Sequence, residues 1–327
     1  MSRRYINEGS YGCVIKPGIK CKKKISNNTI SKFIFEKDEW LNEINNYKII
    51  SKFLKRKHLL NLIDYCKKTE LEKVLVDNCK LLKTKKDIYI YNIIYEYGGI
   101  DLYDIISNNN TKFLHIFFKF DNIFETVKLL YEHDYIHLDI RLPNILYNKK
   151  KKIIKLIDYG LMKNKKNFSN TIKKIKKLEI YYIPPEFNNY NLHQMYRILI
   201  SNNILKNNYA FYNNKLKKKQ IQTVISYIFL NIKNYDTNIS NKIDINKIDV
   251  YMIGIVLLEL LIKMNINNNL NINDKEYYLV FNYIKKLLEP NVLKRYNIKE
   301  AHIEYKKLKF LLKKKYPLRG LNSQPLA

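Results

Sequence analysis

The sequence predicts an α+β chain in two lobes, a small antiparallel-strand lobe with one helix followed by a larger, mainly helical lobe. Two observations point there. Up to about residue 97, short alternating segments are separated by glycine and polar turns, whereas beyond it apolar residues recur at helical spacing over longer runs. With 327 residues, 46% of them hydrophobic, the chain is long enough to bury a large core.

The elements follow in order. Tyr5 to Lys16 alternates and contains Gly9 and Gly12, which suits a strand, a tight turn and a returning strand. Thr29 to Phe35 reads as a strand carrying Lys32. Lys37 to Ile50 places Trp40, Ile44 and Tyr47 on one face at helical spacing, with Glu39 and Glu43 beside them. Leu59 to Lys67 and Ile88 to Tyr95 are strand-like, and Gly98-Gly99 breaks the pattern. Lys112 to Glu132 is one apolar helical run. Strands at Ile145 to Tyr147 and Ile153 to Ile157 flank a hairpin, and Ile248 to Met264 is apolar enough for a central buried helix. The expected boundaries are 1–97 for the first lobe, 98–318 for the second with an expanded, partly helical region at 187–247, and a loose tail at 319–327.

Composition limits the alternatives. The formal charge is +30, but it comes from lysine in a chain also rich in Asn, Ile and Tyr, a bias that AT-rich coding produces. No RNA-recognition or zinc-knuckle pattern is present, so nucleic acid is not supported beyond the charge itself. The most apolar stretch, Ile253 to Ile262, is interrupted by Glu259 and too short to span a membrane. The N-terminus lacks the apolar stretch of a signal peptide. Cys13, Cys21, Cys66 and Cys79 show no CxxC spacing. These features together predict a soluble, cytoplasmic protein with reduced thiols and no membrane partner.

The chemistry concentrates in His137-Leu138-Asp139-Ile140-Arg141-Leu142-Pro143-Asn144 and in Asp158-Tyr159-Gly160. Moving a phosphoryl group requires its charge to be neutralised by metal and the attacking hydroxyl to be positioned, and both tasks call for oxygen ligands at fixed separations. Upstream, Asn7-Glu8-Gly9-Ser10-Tyr11-Gly12-Cys13-Val14 could let backbone N–H groups approach phosphate oxygens, although a glycine-bearing hairpin needs no nucleotide to explain it.

Taken in order (glycine loop, strand lysine, helix glutamate, acidic-glycine segment, catalytic loop, Asp-Tyr-Gly, Pro-Pro-Glu), these motifs resemble the eukaryotic-type protein kinase family from Ile6 to about Leu312. The resemblance implies a bilobal protein-kinase-like fold and a Ser/Thr kinase that uses ATP and Mg2+ on protein substrates. It makes Asn7, Gly9, Gly12 and Val14 the nucleotide-covering loop, with Asn7 in place of the first glycine. Lys32 matches the phosphate-holding lysine and Glu43 its partner, with Glu39 as the rival. Glu96 and Gly98 match the hinge that binds adenine through backbone groups, and Asp101 lies near the ribose or simply caps a helix. Asp139 matches the residue that accepts the substrate hydroxyl proton, Arg141 the basic residue that steadies the phosphate, and Asn144 and Asp158 the metal ligands.

Three departures stand out. Leu138 replaces the arginine that reads a phosphorylated activation segment in many members, so that mode of control is not expected. Glu179 stands where Ser/Thr kinases carry a threonine facing the catalytic base. Arg141 replaces the usual lysine, two residues after Asp139 as in Ser/Thr kinases. The resemblance also pairs Glu186 with Arg295 and sets Asp249 and Gly254 in a central helix beneath the catalytic loop. The coding bias and the missing arginine resemble kinases of large DNA viruses. The alternative function is a kinase-like scaffold that binds nucleotide and partner proteins with little or no catalysis.

Overall fold

The computed structural model describes residues 4–9, 12–68, 79, 90–107, 111–168, 182–185, 215–233, 244–267 and 269–315. The chain divides into two compact units, Met1–Gly99 with Ile157–Gly160 and Ile100–Leu156 with Leu161–Ala327.

In the first unit, strands β1 (Arg4–Gly9), β2 (Gly12–Lys16), β3 (Thr29–Ile34), β4 (Leu62–Lys68) and β5 (Ile90–Glu96) form one antiparallel sheet in the order β1-β2-β3-β5-β4. Side chains alternate across a strand, so the register sorts two faces. Cys13 pairs with Phe33 in register and joins Ile15, Ile19 and Ile90 in one apolar cluster. On the opposite face Ile34 and Ile93 pack against Ile44 of helix α1 (Lys37–Ile50). Acidic Asp38 and Glu39 in the first turn of α1 and Lys48 in its last complement the helix dipole. Gly12 is required for a local reason: a β-carbon there would run into the Phe33 carbonyl of the neighbouring strand.

The cysteines correct one expectation. Cys13 is bonded to Cys79 and Cys21 to Cys66, with Cα separations of 6.2 and 5.7 Å, so none of the four is a free thiol. CxxC spacing is blind to this arrangement, because folding brings together cysteines 66 and 45 residues apart. Loops of that size restrict the unfolded chain by about 4 kcal/mol each in the chain-entropy account.

The second unit is built around helix α6 (Ile248–Ile266), apolar on all sides and buried from Ile248 through Ile262. Before it come α2 (Leu102–Ser107), α3 (Phe113–Phe117), α4 (Asp121–Glu132) and α5 (Lys215–Lys233); after it come α7 (Asp274–Leu287) and α8 (Ile298–Lys315). Short strands β6 (Ile100–Asp101), β8 (Ile145–Asn148) and β9 (Ile153–Leu156) form one small sheet, and β7 (Tyr135–Ile136) pairs with β10 (Lys163–Asn164).

The single helix expected over Lys112 to Glu132 is two, broken at residues 118–120. Phe117, Phe118 and Phe120 are all buried. On a straight helix they would spread over about 160°, and the break lets all three rings face the core. Within the expanded region, α5 places Val224 and Ile228 in the same core as α6. Gly254 lets α6 lie close to the end of α7, since a β-carbon there would come within 2.9 Å of Leu287 Cβ and 2.8 Å of Leu288 Cδ2. No helix among the described residues is long and apolar enough to cross a membrane.

Two measurements follow from this packing. Gly254→Val should lower unfolding stability in urea by about 2 kcal/mol or more, because the added methyls meet side chains rooted on α7 and the turn after it. Peptide mapping without reductant should recover Cys13 linked to Cys79 and Cys21 linked to Cys66; another pairing would contradict the fold of the first unit, and four free thiols would contradict the two bonds.

Candidate active site

Strand alternation puts Lys32 on the α1 side of β3, one step from Ile34, while Glu43 neighbours Ile44 on α1. The Lys32 ammonium bonds Glu43 Oε2 at 2.6 Å and lies 3.4 Å from Asp158 Oδ1. Burial works against the charge on Lys32, but the Asp158 and Glu43 carboxylates outweigh it and hold the ammonium above its usual range. Burial pushes the Glu43 carboxyl up while Lys32 pulls it down. Burial is the larger effect, so the carboxyl lies above its usual range even beside the ammonium. Tyr95 secures it from the other side, its hydroxyl donating to Glu43 Oε1 at 3.0 Å.

Asp158 has a left-handed backbone (φ 63°), a conformation aspartate tolerates better than most residues. Two asparagines of α1 steady the residues after it. Asn46 Nδ2 donates to the Tyr159 carbonyl and Asn42 Nδ2 to the Gly160 carbonyl, each at 2.7 Å. Neither asparagine was singled out from sequence. Their signal was positional: Glu39, Asn42, Glu43 and Asn46 recur at the three- and four-residue spacing of one helical face.

In the second unit the loop from His137 to Asn144 hangs from α6. Asp249, fully buried, accepts the N–H of His137 on Oδ2 at 2.8 Å and that of Leu138 on Oδ1 at 3.0 Å. This holds Leu138 at φ 67°, a left-handed conformation costing an apolar residue about 1–2 kcal/mol. The Leu138 side chain sits in the apolar core. His137 is buried, and its Nδ1 accepts the Asp139 N–H at 3.2 Å.

Asp139 Oδ2 accepts the Asn144 amide at 2.6 Å, and the same amide reaches the Asp139 carbonyl at 2.9 Å. Arg141 Nε lies 3.3 Å from Asp139 Oδ1. Tyr182, whose contact with this loop nothing in the sequence signalled, donates its hydroxyl to the same Oδ1 at 2.8 Å.

The remaining nucleotide candidates are placed as follows. Asn7 pairs in register with Val14 and Gly9 with Gly12 across the first hairpin; its tip, Ser10-Tyr11, lies outside the described residues. Val14 is also the register partner of Lys32. The N–H groups of Glu96 and Tyr97 are engaged by the carbonyls of Asn61 and Asn28. Gly98 is buried, and Gly99 has φ 121°, which glycine alone adopts readily. Asp101 Oδ1 accepts the Asp104 N–H at 2.8 Å and so caps α2. Glu179, Glu186 and the tail at 319–327 lie outside the described residues. Arg295 is buried, with its guanidinium over the Tyr251 ring and Nε donating to the Glu289 carbonyl.

A family model described as protein tyrosine and serine/threonine kinase matches residues 2–197. The chain belongs to that family. It is also similar to the dual specificity protein kinase zakA of Dictyostelium discoideum, 32% identical over 171 residues that cover 50% of this chain and 19% of that relative. The chain therefore matches about a fifth of the relative's length.

Burial pushes the Asp249 carboxyl up from 3.8 to about 6, against the opposing pull of the His137 and Leu138 N–H groups. A folded value above the unfolded one means this group's contribution to stability is full below about pH 4 and declines as pH rises through about 6. Asp249→Asn should be less stable than the parent at every pH, because its amide presents N–H to N–H. Urea unfolding should show the gap between parent and variant shrinking by roughly 1 kcal/mol from pH 5 to pH 7. A constant gap would place the titration elsewhere.

Proposed function

We propose that the protein is an ATP-dependent, magnesium-using protein kinase that transfers the γ-phosphate to serine or threonine hydroxyls of protein substrates. The observation that carries this reading is Lys32 held between Glu43 and Asp158. A half-buried ammonium kept charged and fixed by two carboxylates is suited to receiving phosphate oxygens. Adenine would be met by carbonyls of the 96–99 segment or by the N–H groups of the glycines, since those of Glu96 and Tyr97 are engaged.

Asn144 and Asp158 are the residues that would hold magnesium. The donor set fits: the Asn144 amide nitrogen is engaged by Asp139, so the carboxamide oxygen is the group left to offer, and Asp158 supplies a carboxylate. Magnesium keeps several waters and takes phosphate oxygens as ligands, so two protein donors suffice for it. Bound there, it would neutralise charge on the phosphate oxygens.

Asp139 would orient the acceptor hydroxyl and take its proton as the oxygen attacks phosphorus. Arg141 would steady the transferred group, and its position two residues after Asp139 supports Ser/Thr acceptors. Glu179 in place of the usual threonine, and the dual specificity in the relative's name, make tyrosine an acceptor to assay alongside them.

The test is labelled-phosphate transfer from Mg-ATP to a Ser/Thr/Tyr peptide library. Asp139→Asn should reduce kcat by about a hundredfold or more while leaving nucleotide-induced thermal stabilisation in place. Transfer by the variant at the parental rate would refute the assignment. Stabilisation by nucleotide with no transfer by the parent would leave a nucleotide-binding scaffold.

A further inference from the structure

The Asp139 carboxylate has donors on both oxygens, and one of them is assigned by none of the sequence motifs. Oδ2 takes the Asn144 amide; Oδ1 takes the Tyr182 hydroxyl at 2.8 Å, with Arg141 Nε 3.3 Å away. We propose that Tyr182 is the positioning residue for Asp139, its hydroxyl fixing Oδ1 so that the remaining lone pair of Oδ2 meets the acceptor hydroxyl. This rests on the reading of Asp139 as the group that receives the substrate proton.

Three observations support a positioning role. First, an ionised carboxylate offers about four lone-pair sites, and the two hydrogen bonds take one on Oδ1 and one on Oδ2, with the Arg141 charge beside Oδ1. One site on Oδ2 is left, so Tyr182 orients the carboxylate without filling it.

Second, Tyr182 is well anchored. Its ring and the adjacent Ile183 both lie in the apolar core of the second unit, and Pro184 and Pro185 fix the backbone that follows. Burial, the Asp139 charge and the hydrogen bond to Asp139 all push the phenol up, so it remains a protonated donor throughout the physiological range.

Third, the sequence lacks the threonine that the resemblance sets facing the catalytic base. Glu179 stands where the resemblance places a threonine, and an ionised carboxylate has no proton to donate to Asp139. A hydroxyl from three residues further along the same segment supplies what the substitution removes.

The experiment compares the full chain with Tyr182→Phe, Asp139→Asn and the double variant, using Mg-ATP and a Ser/Thr peptide library. Phenylalanine keeps the ring in the core and deletes only the oxygen. Tyr182→Phe should lower kcat by about tenfold or more, the effect of losing a hydrogen bond to a charged group. KM for ATP and peptide should stay within about twofold, with the thermal midpoint retained. Because Tyr182 acts through Asp139, its substitution should have no further effect in the Asp139→Asn background.

A Phe variant as fast as the parent would overturn the proposal, and a faster one would show that the hydroxyl blocks the site. Losses that multiply in the double variant would also overturn it, as would loss of the cooperative melt, which would assign the hydroxyl to folding. A parent no more active than Asp139→Asn is a different result: it removes the reading of Asp139 and takes the role of Tyr182 with it.

Discussion

One buried carboxylate sets the geometry of the second unit's loop from His137 to Asn144. Asp249 projects from the most apolar of the described helices and holds two successive N–H groups of a loop whose backbone is left-handed at Leu138. A leucine would not adopt that conformation unaided, and a carboxylate would not remain in that core without the two donors. The strain of one is compensated by the hydrogen bonding of the other. The next residue is Asp139, so the direction of its side chain derives from this exchange.

The first unit solves a different problem, that of holding a half-buried ammonium charged and in place. Lys32 is reached by a glutamate from the helix and an aspartate from the segment after β9, and the asparagines on either side of Glu43 fasten that segment's backbone to the same helix. One face of α1 thus supplies both the counter-charge and the fastening. Polar residues on that face serve packing and electrostatics together.

Much of this was legible in the sequence, for identifiable reasons. Helix α1 was readable residue for residue because Trp40, Ile44 and Tyr47 recur at its period, and Lys32 and Glu43 were readable because the motif order names them. Three features were not. The cysteine pairs depend on which residues the fold brings together, a property that linear spacing does not encode. The break between α3 and α4 arises because neighbouring phenylalanines all favour burial, and periodicity alone cannot say whether the helix or the core yields. Tyr182 meets Asp139 from 43 residues away, and an aromatic beside another aromatic carries no mark of it.

Helix α5 lies beyond residue 197, where the family match stops, yet Val224 and Ile228 share a core with the helix that bears Asp249. The part of the chain with no counterpart in that match is therefore no removable appendage. Trimming the protein to its recognisable portion would remove α5 and α6 together, and with them the Asp249 support beneath the loop from His137 to Asn144. Fragments for further work should be cut outside α5.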